Sequence, residues 1–189
     1  MRNRTLLVAL ALLLLGFSKA HAADPTCDMR GLGGDVSRYN NLACSGFDAY
    51  EAGDYEMAMN QMEAALAVHL FEVPNFELLP WLASAYARYG DVAGAAETLD
   101  EAKGAMAVMH GEVVCIETDK GFHLASRDLG YVATMSEDLQ QKIVLRMCGG
   151  VYEPLYAEDQ EVINDALLGF YGMMEIADQE IQGMKNNRR

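Results

Sequence analysis

The sequence predicts a mainly α-helical protein: two helical hairpins, then a small β-hairpin and two further helices, the whole tied by disulfides. Three observations carry this expectation. Apolar residues recur at helical spacing from Tyr39 to Ala102, with breaks at Gly53-Asp54, Pro74-Asn75 and Gly90-Asp91. One β-branched run, Val113-Val114-Cys115-Ile116, interrupts that pattern. Four cysteines and a 51% hydrophobic composition suit one cross-linked domain with a real core.

Residues 1–22 read as an export signal. Arg2 and Arg4 supply the positive start, Leu6 to Phe17 form an unbroken apolar stretch, and Ala20-His21-Ala22 gives the small-x-small cleavage pattern. The apolar stretch is shorter than the roughly 20 residues of a membrane span and closes with Ser18 and Lys19. Cleavage removes three positive charges (Arg2, Arg4, Lys19) from a chain of formal net charge −14, leaving −17. Such a surface repels nucleic acid and anionic lipid, both of which need clustered Lys and Arg. The expected location is periplasmic or secreted, with no membrane span after cleavage.

Residues 23–35 form an irregular lead rich in glycine. Asp35 is the expected N-cap of a helix carrying Tyr39, Leu42, Ala43, Gly46, Phe47 and Tyr50. After Gly53-Asp54 a second helix carries Met57, Ala58, Met62, Ala65 and Leu66. The pattern returns with Leu79, Leu82, Ala83 and Tyr86, breaks at Gly90-Asp91, and resumes with Ala95, Leu99 and Ala102. Val113–Ile116 and Phe122-His123-Leu124 are expected to pair across a turn at Glu117–Gly121. A helix follows Ser136, a capping residue with Glu137 and Asp138 in its first turn, and runs to Cys148 before Gly149-Gly150. After Pro154 a long last helix carries an apolar stripe from Val162 to Ile181. Gly169 and Gly172 within it are expected to mark close packing against a neighbour.

An exported chain with an even cysteine count favours two disulfides. Of three connectivities, Cys27–Cys44 and Cys115–Cys148 are preferred, because each closes a short segment within one half of the chain. The second would tie the β-hairpin to a later helix.

The repeated helix pair, over residues 36–109, resembles the tetratricopeptide (TPR) repeat. Small residues stand where paired helices would touch: Gly46 and Ala83, Ala58 and Ala95, Ala65 and Ala102. The two Gly-Asp turns lie 37 positions apart against about 34 in that family, which places a small insertion at 73–76. Residues 36–111 form the helical hairpins and 112–189 a C-terminal region needed to cap them, since two repeats alone leave apolar faces uncovered. The resemblance implies a concave groove for a protein or peptide partner. Its lining would be Asn40, Ala43, Phe47, Tyr50 and Glu51 from the first unit, and Glu77, Pro80, Ser84, Ala87 and Arg88 from the second. Phe47 and Tyr50 would be apolar anchors, Asn40 and Ser84 would bond peptide backbone, and Arg88 would pair with a carboxylate. The alternative is that Phe47 and Tyr50 pack beneath the N-terminal lead and the groove is closed.

Catalysis has little support. The mature chain holds three histidines (His69, His110, His123), and neither a nucleophile motif nor a phosphate loop is present. The expectation is a non-enzymatic interaction or scaffolding module of the cell envelope, with no cofactor. A soft-metal or small-ligand carrier is the alternative, drawing on Met57, Met59 and Met62, or on Met106, Met109 and His110, as copper-type donors. His110, Cys115 and His123 would form a site only with Cys115 unpaired. A secreted effector is a further alternative.

Overall fold

The computed structural model describes residues 34–68, 76–126, 131–148 and 160–187, with the backbone alone at 36, 131 and 160–168. The expectations for the export signal, the lead with Cys27, His69, the insertion, Gly149-Gly150 and Pro154 lie outside the described residues.

Helix α1 (Asp35–Ala52) and helix α2 (Tyr55–Leu66) form the first hairpin, and α3 (Leu79–Tyr89) and α4 (Val92–Met109) the second. Each hairpin turns by the same chemistry. Gly53 (φ 80°) and Gly90 (φ 101°) take the left-handed conformation that ends a helix. The next residue then caps the following helix: Asp54 accepts from the Met57 amide at 3.1 Å, and Asp91 from that of Gly94 at 3.0 Å. At the start of α1 the expectation is corrected. Gly34 holds the cap position, and Asp35 stands in the first turn, where its charge complements the helix dipole.

Close packing falls at the small residues. A Cβ at Gly46 would meet Met62 Cγ at 2.7 Å, and Ala58, Ala65, Ala83, Ala95 and Ala102 are fully buried. Strands β1 (Val113–Thr118) and β2 (Gly121–Ser126) pair antiparallel from Val113↔Ser126 to Thr118↔Gly121. Both exceed the expected strands, and the turn shortens to Asp119-Lys120. Val113 and Leu124 are buried in one cluster with Ala105 and Met106 of α4. A single helical turn that the periodicity does not signal, α5 (Tyr131–Thr134), precedes α6 (Glu137–Met147). Ser136 caps α6 by accepting from the Leu139 amide at 3.1 Å. Cys115 and Cys148 form the expected disulfide, fastening β1 to the end of α6. Cys44 is also disulfide-bonded.

Helix α7 (Gln160–Asn187) is 28 residues long, about 42 Å. It lies in the crevice between α3 and α4. Phe170 meets Phe76, just before α3 begins, with ring centroids 5.4 Å apart, and Glu180 meets Arg88 near its end, so α7 and α3 run parallel. Ala177 and Ile181 are buried in one cluster with Ala83, Ala87, Ala95 and Leu99. Gly172 departs from expectation: a Cβ there would meet nothing within 4 Å, so close packing does not account for that glycine. Among the described residues, no helix is long and apolar enough to cross a membrane.

Candidate functional site

Phe47 and Tyr50 lie one turn apart on α1 and project toward α3, where Trp81 receives both edge to face, at centroid distances of 4.9 and 5.3 Å. One turn further along α3, the buried Ser84 hydroxyl stands 2.7 Å from the Tyr50 hydroxyl and donates to Glu180 Oε2 of α7 at 2.5 Å. A serine has one proton to give, so the order is fixed: Tyr50 donates to Ser84, and Ser84 to Glu180. Arg88, one turn beyond Ser84, donates from Nε to Glu180 Oε1 at 2.7 Å and from Nη1 to the Tyr55 hydroxyl at 3.2 Å. Its guanidinium also lies over the Tyr50 ring at 4.9 Å and the Tyr55 ring at 5.6 Å.

Ser84 and Arg88 thus take one oxygen each of the same carboxylate, with aromatic rings behind them. Burial raises the Tyr50 pKa, against the opposing pull of Ser84 and Arg88, and so keeps the hydroxyl protonated as a donor. Burial works against the Arg88 charge as well, but the bonds to Tyr55 and Glu180 more than offset it, and its pKa lies above the ordinary value. The arrangement is chemically a partly exposed carboxylate receptor, in which Ser84 is buried and the charge-assisted Arg88 pair borders solvent.

Of the groove residues expected from sequence, Phe47, Tyr50, Ser84 and Arg88 are brought together. Ala43, Pro80 and Ala87 are buried, while Glu51 and Glu77 are exposed. Asn40 is 5% exposed, and its Nδ2 has no hydrogen-bond partner among the described residues. It does not join the Ser84–Arg88 network. The second unit's side of the groove is covered by α7, while residues 23–33 of the lead, which the closed-groove alternative placed over Phe47 and Tyr50, lie outside the described residues. Sequence reasoning missed Trp81, Tyr55 and Glu180 as site residues. Trp81 is the only tryptophan, a usable signal. Glu180 is one acid among 28, and nothing local distinguishes it.

A second concavity, of about 430 Å³, opens on the far side of α3, where Tyr86 projects about 200° round the helix from Ser84. Leu66, Leu79 and Leu82 line it, and ion pairs Lys142–Glu97 and Arg146–Glu101 (2.5 Å) cross it from α6 to α4. Tyr86 donates to Glu63 there, and its pKa is raised by burial first and by that carboxylate next.

Met59 and Met62 are buried in the core while Met57 is 52% exposed. Cys115 is oxidised, which removes the His110–Cys115–His123 arrangement, and His110 instead bonds the Tyr171 hydroxyl. Among the described residues, no group of three or more His, Cys, Asp or Glu is placed to hold a metal. No family model, curated protein or solved structure matches the chain.

Proposed function

We propose that this chain is an exported, non-enzymatic protein–protein interaction module, TPR-like over residues 36–109, whose partner docks on the α1–α3 face. The observation that carries the reading is the ring cluster of Phe47, Tyr50, Tyr55 and Trp81, with Phe47 and Tyr50 buried and Arg88 lying over both tyrosines and pairing with Glu180. Tyr, Trp and Arg are the residue types that dominate interface energetics, and here they converge from two hairpins on one face. Placement of α7 parallel to α3 and against α4 also suits a helix taking the place of a third repeat's first helix, which supplies the cap that two repeats require. The setting is the periplasm or the cell exterior, where the pairing of Cys115 with Cys148 is chemically at home.

A charge exchange tests the reading while preserving the fold. Arg88→Glu with Glu180→Arg keeps the internal ion pair and reverses the sign of the receptor. The exchanged chain is expected to match the original in thermal stability and to lose at least tenfold in affinity for a partner captured by the original chain from an envelope or secreted fraction. Retained affinity in the exchanged chain would refute recognition through Arg88. The concavity beyond α3 favours a second reading, a small-ligand carrier. Saturable binding of a small carboxylate or amino acid that is lost in Arg146→Met would support it.

A further inference from the structure

We infer that α7 is a tethered, displaceable self-ligand of this face, and that the partner it yields to presents an acidic amphipathic helix of the same design. The inference rests on the docking reading above and adds both the chemistry of the partner and a means of regulation. The bound segment itself defines the chemistry. Met173, Ala177 and Ile181 are 5%, 0% and 2% exposed, and they follow one another along the buried stripe of α7. Glu180 stands between Ala177 and Ile181 and delivers its carboxylate to Ser84 and Arg88. A competing helix therefore needs apolar residues four apart, small at the central position, with a glutamate three residues after it. Small size at that central position is demanded by its neighbours Ala83, Ala87 and Ala95.

Two observations separate α7 from a permanent core helix. Gly172 and Gly183 both lie within it, where glycine lowers helix stability, and neither faces an atom that would exclude a methyl group. The helix is thus weaker than its packing requires. Among its residues with described side chains, Glu175, Gln179, Gln182 and Lys185 are exposed together with one large apolar residue, Ile176, so the outward face of residues 169–187 is mainly polar. A tethered helix competes at millimolar effective concentration, and an external helix binds only when α7 leaves. Weak intrinsic helicity sets that opening equilibrium, and the apparent affinity of the partner falls in proportion to the open fraction.

Native-state hydrogen exchange on the full mature chain tests this without any partner. Amides of Ala177 to Ile181 are expected to exchange at least tenfold faster than the slowest amides of α3 and α4, through an opening that leaves those helices protected. Gly172→Ala with Gly183→Ala should slow exchange in α7 by roughly tenfold and leave the ratio between α3 and α4 unchanged. Exchange of α7 in step with the slowest amides of α3 and α4, in both chains, would overturn the inference and make α7 a fixed element. That result is distinct from failure of the docking reading, which is judged by the charge-exchanged chain and its partner.

Discussion

Two helices from the C-terminal region pack on the helical hairpins, α6 against α4 and β2 and α7 against α3 and α4, and they are held by different means. Helix α6 is fixed covalently and sterically. Cys148 ties its end to β1, Lys142 and Arg146 pair with Glu97 and Glu101 of α4, and the buried Ile143 fills a notch at Gly104, where any Cβ would collide with it. Glycine at 104 is therefore a packing requirement. Helix α7 buries Phe170, Met173, Ala177 and Ile181 and is tied by non-covalent contacts alone among the described residues, Glu180 to Ser84 and Arg88, Asp178 to Lys103 and Tyr171 to His110, while a Cβ at Gly172 or Gly183 would meet nothing within 4 Å. The difference teaches that burial alone does not make an element permanent. What matters is whether its local sequence and its cross-links also favour the docked state.

The strongest lever on this contrast is the disulfide. Cys115→Ser with Cys148→Ser opens a closure of 33 residues, and chain-entropy reasoning gives a loss of about 3–4 kcal/mol. Urea unfolding of the mature chain should report that loss. Exchange protection in α6 and β1 should fall by far more than any difference between chains within α1 and α2. A loss below about 1 kcal/mol would mean that the ion pairs and the Gly104 notch hold α6 without the covalent tie.

The smaller lever is alkaline pH, because buried tyrosines stand beside both helices. Burial is the largest cause raising the pKa of Tyr50 and Tyr171 on the α7 side, and of Tyr39 and Tyr86 on the α6 side. The folded chain therefore keeps these protons after the unfolded chain has lost them, at about pH 10. Their contribution to stability is whole below pH 10 and is lost as pH rises through the folded values. Melting temperature should hold steady toward pH 9.5 and fall beyond pH 10, with tyrosinate absorbance rising together with unfolding. Full tyrosinate absorbance in a chain that is still folded would show that these hydroxyls are not protected.

Much of the architecture was legible in the sequence because it is written locally. The Gly-Asp turns, the Ser136 cap and the β-branched run at Val113–Ile116 each act through neighbours in the chain, and the Cys115–Cys148 pairing is preferred because it closes a short segment. Half of the site was legible by another route. Phe47, Tyr50, Ser84 and Arg88 are reached through the TPR resemblance, which implies groove positions on the first helix of each hairpin. The other half depended on a segment 92 residues further on, since Arg88 finds Glu180 only after the chain has passed through β1, β2, α5 and α6. No periodicity encodes which acid of a long amphipathic helix reaches an arginine. Gly172 misled for a related reason. A glycine on a helix reads equally well as a packing notch or as a weak point, and the surrounding atoms alone separate Gly104 from Gly172.

The central claim is that the α1–α3 face reads an acidic amphipathic helix through Arg88, and a crossed peptide titration tests it most directly. A labelled peptide of residues 169–187 and its Glu180→Arg counterpart would each be titrated, by fluorescence anisotropy, with the original chain and with the Arg88→Glu, Glu180→Arg chain. The account predicts saturable binding of the original peptide to the original chain and of the reversed peptide to the reversed chain, each at least tenfold tighter than the crossed pairs. Equal binding across all four pairs, or none in any, would contradict it.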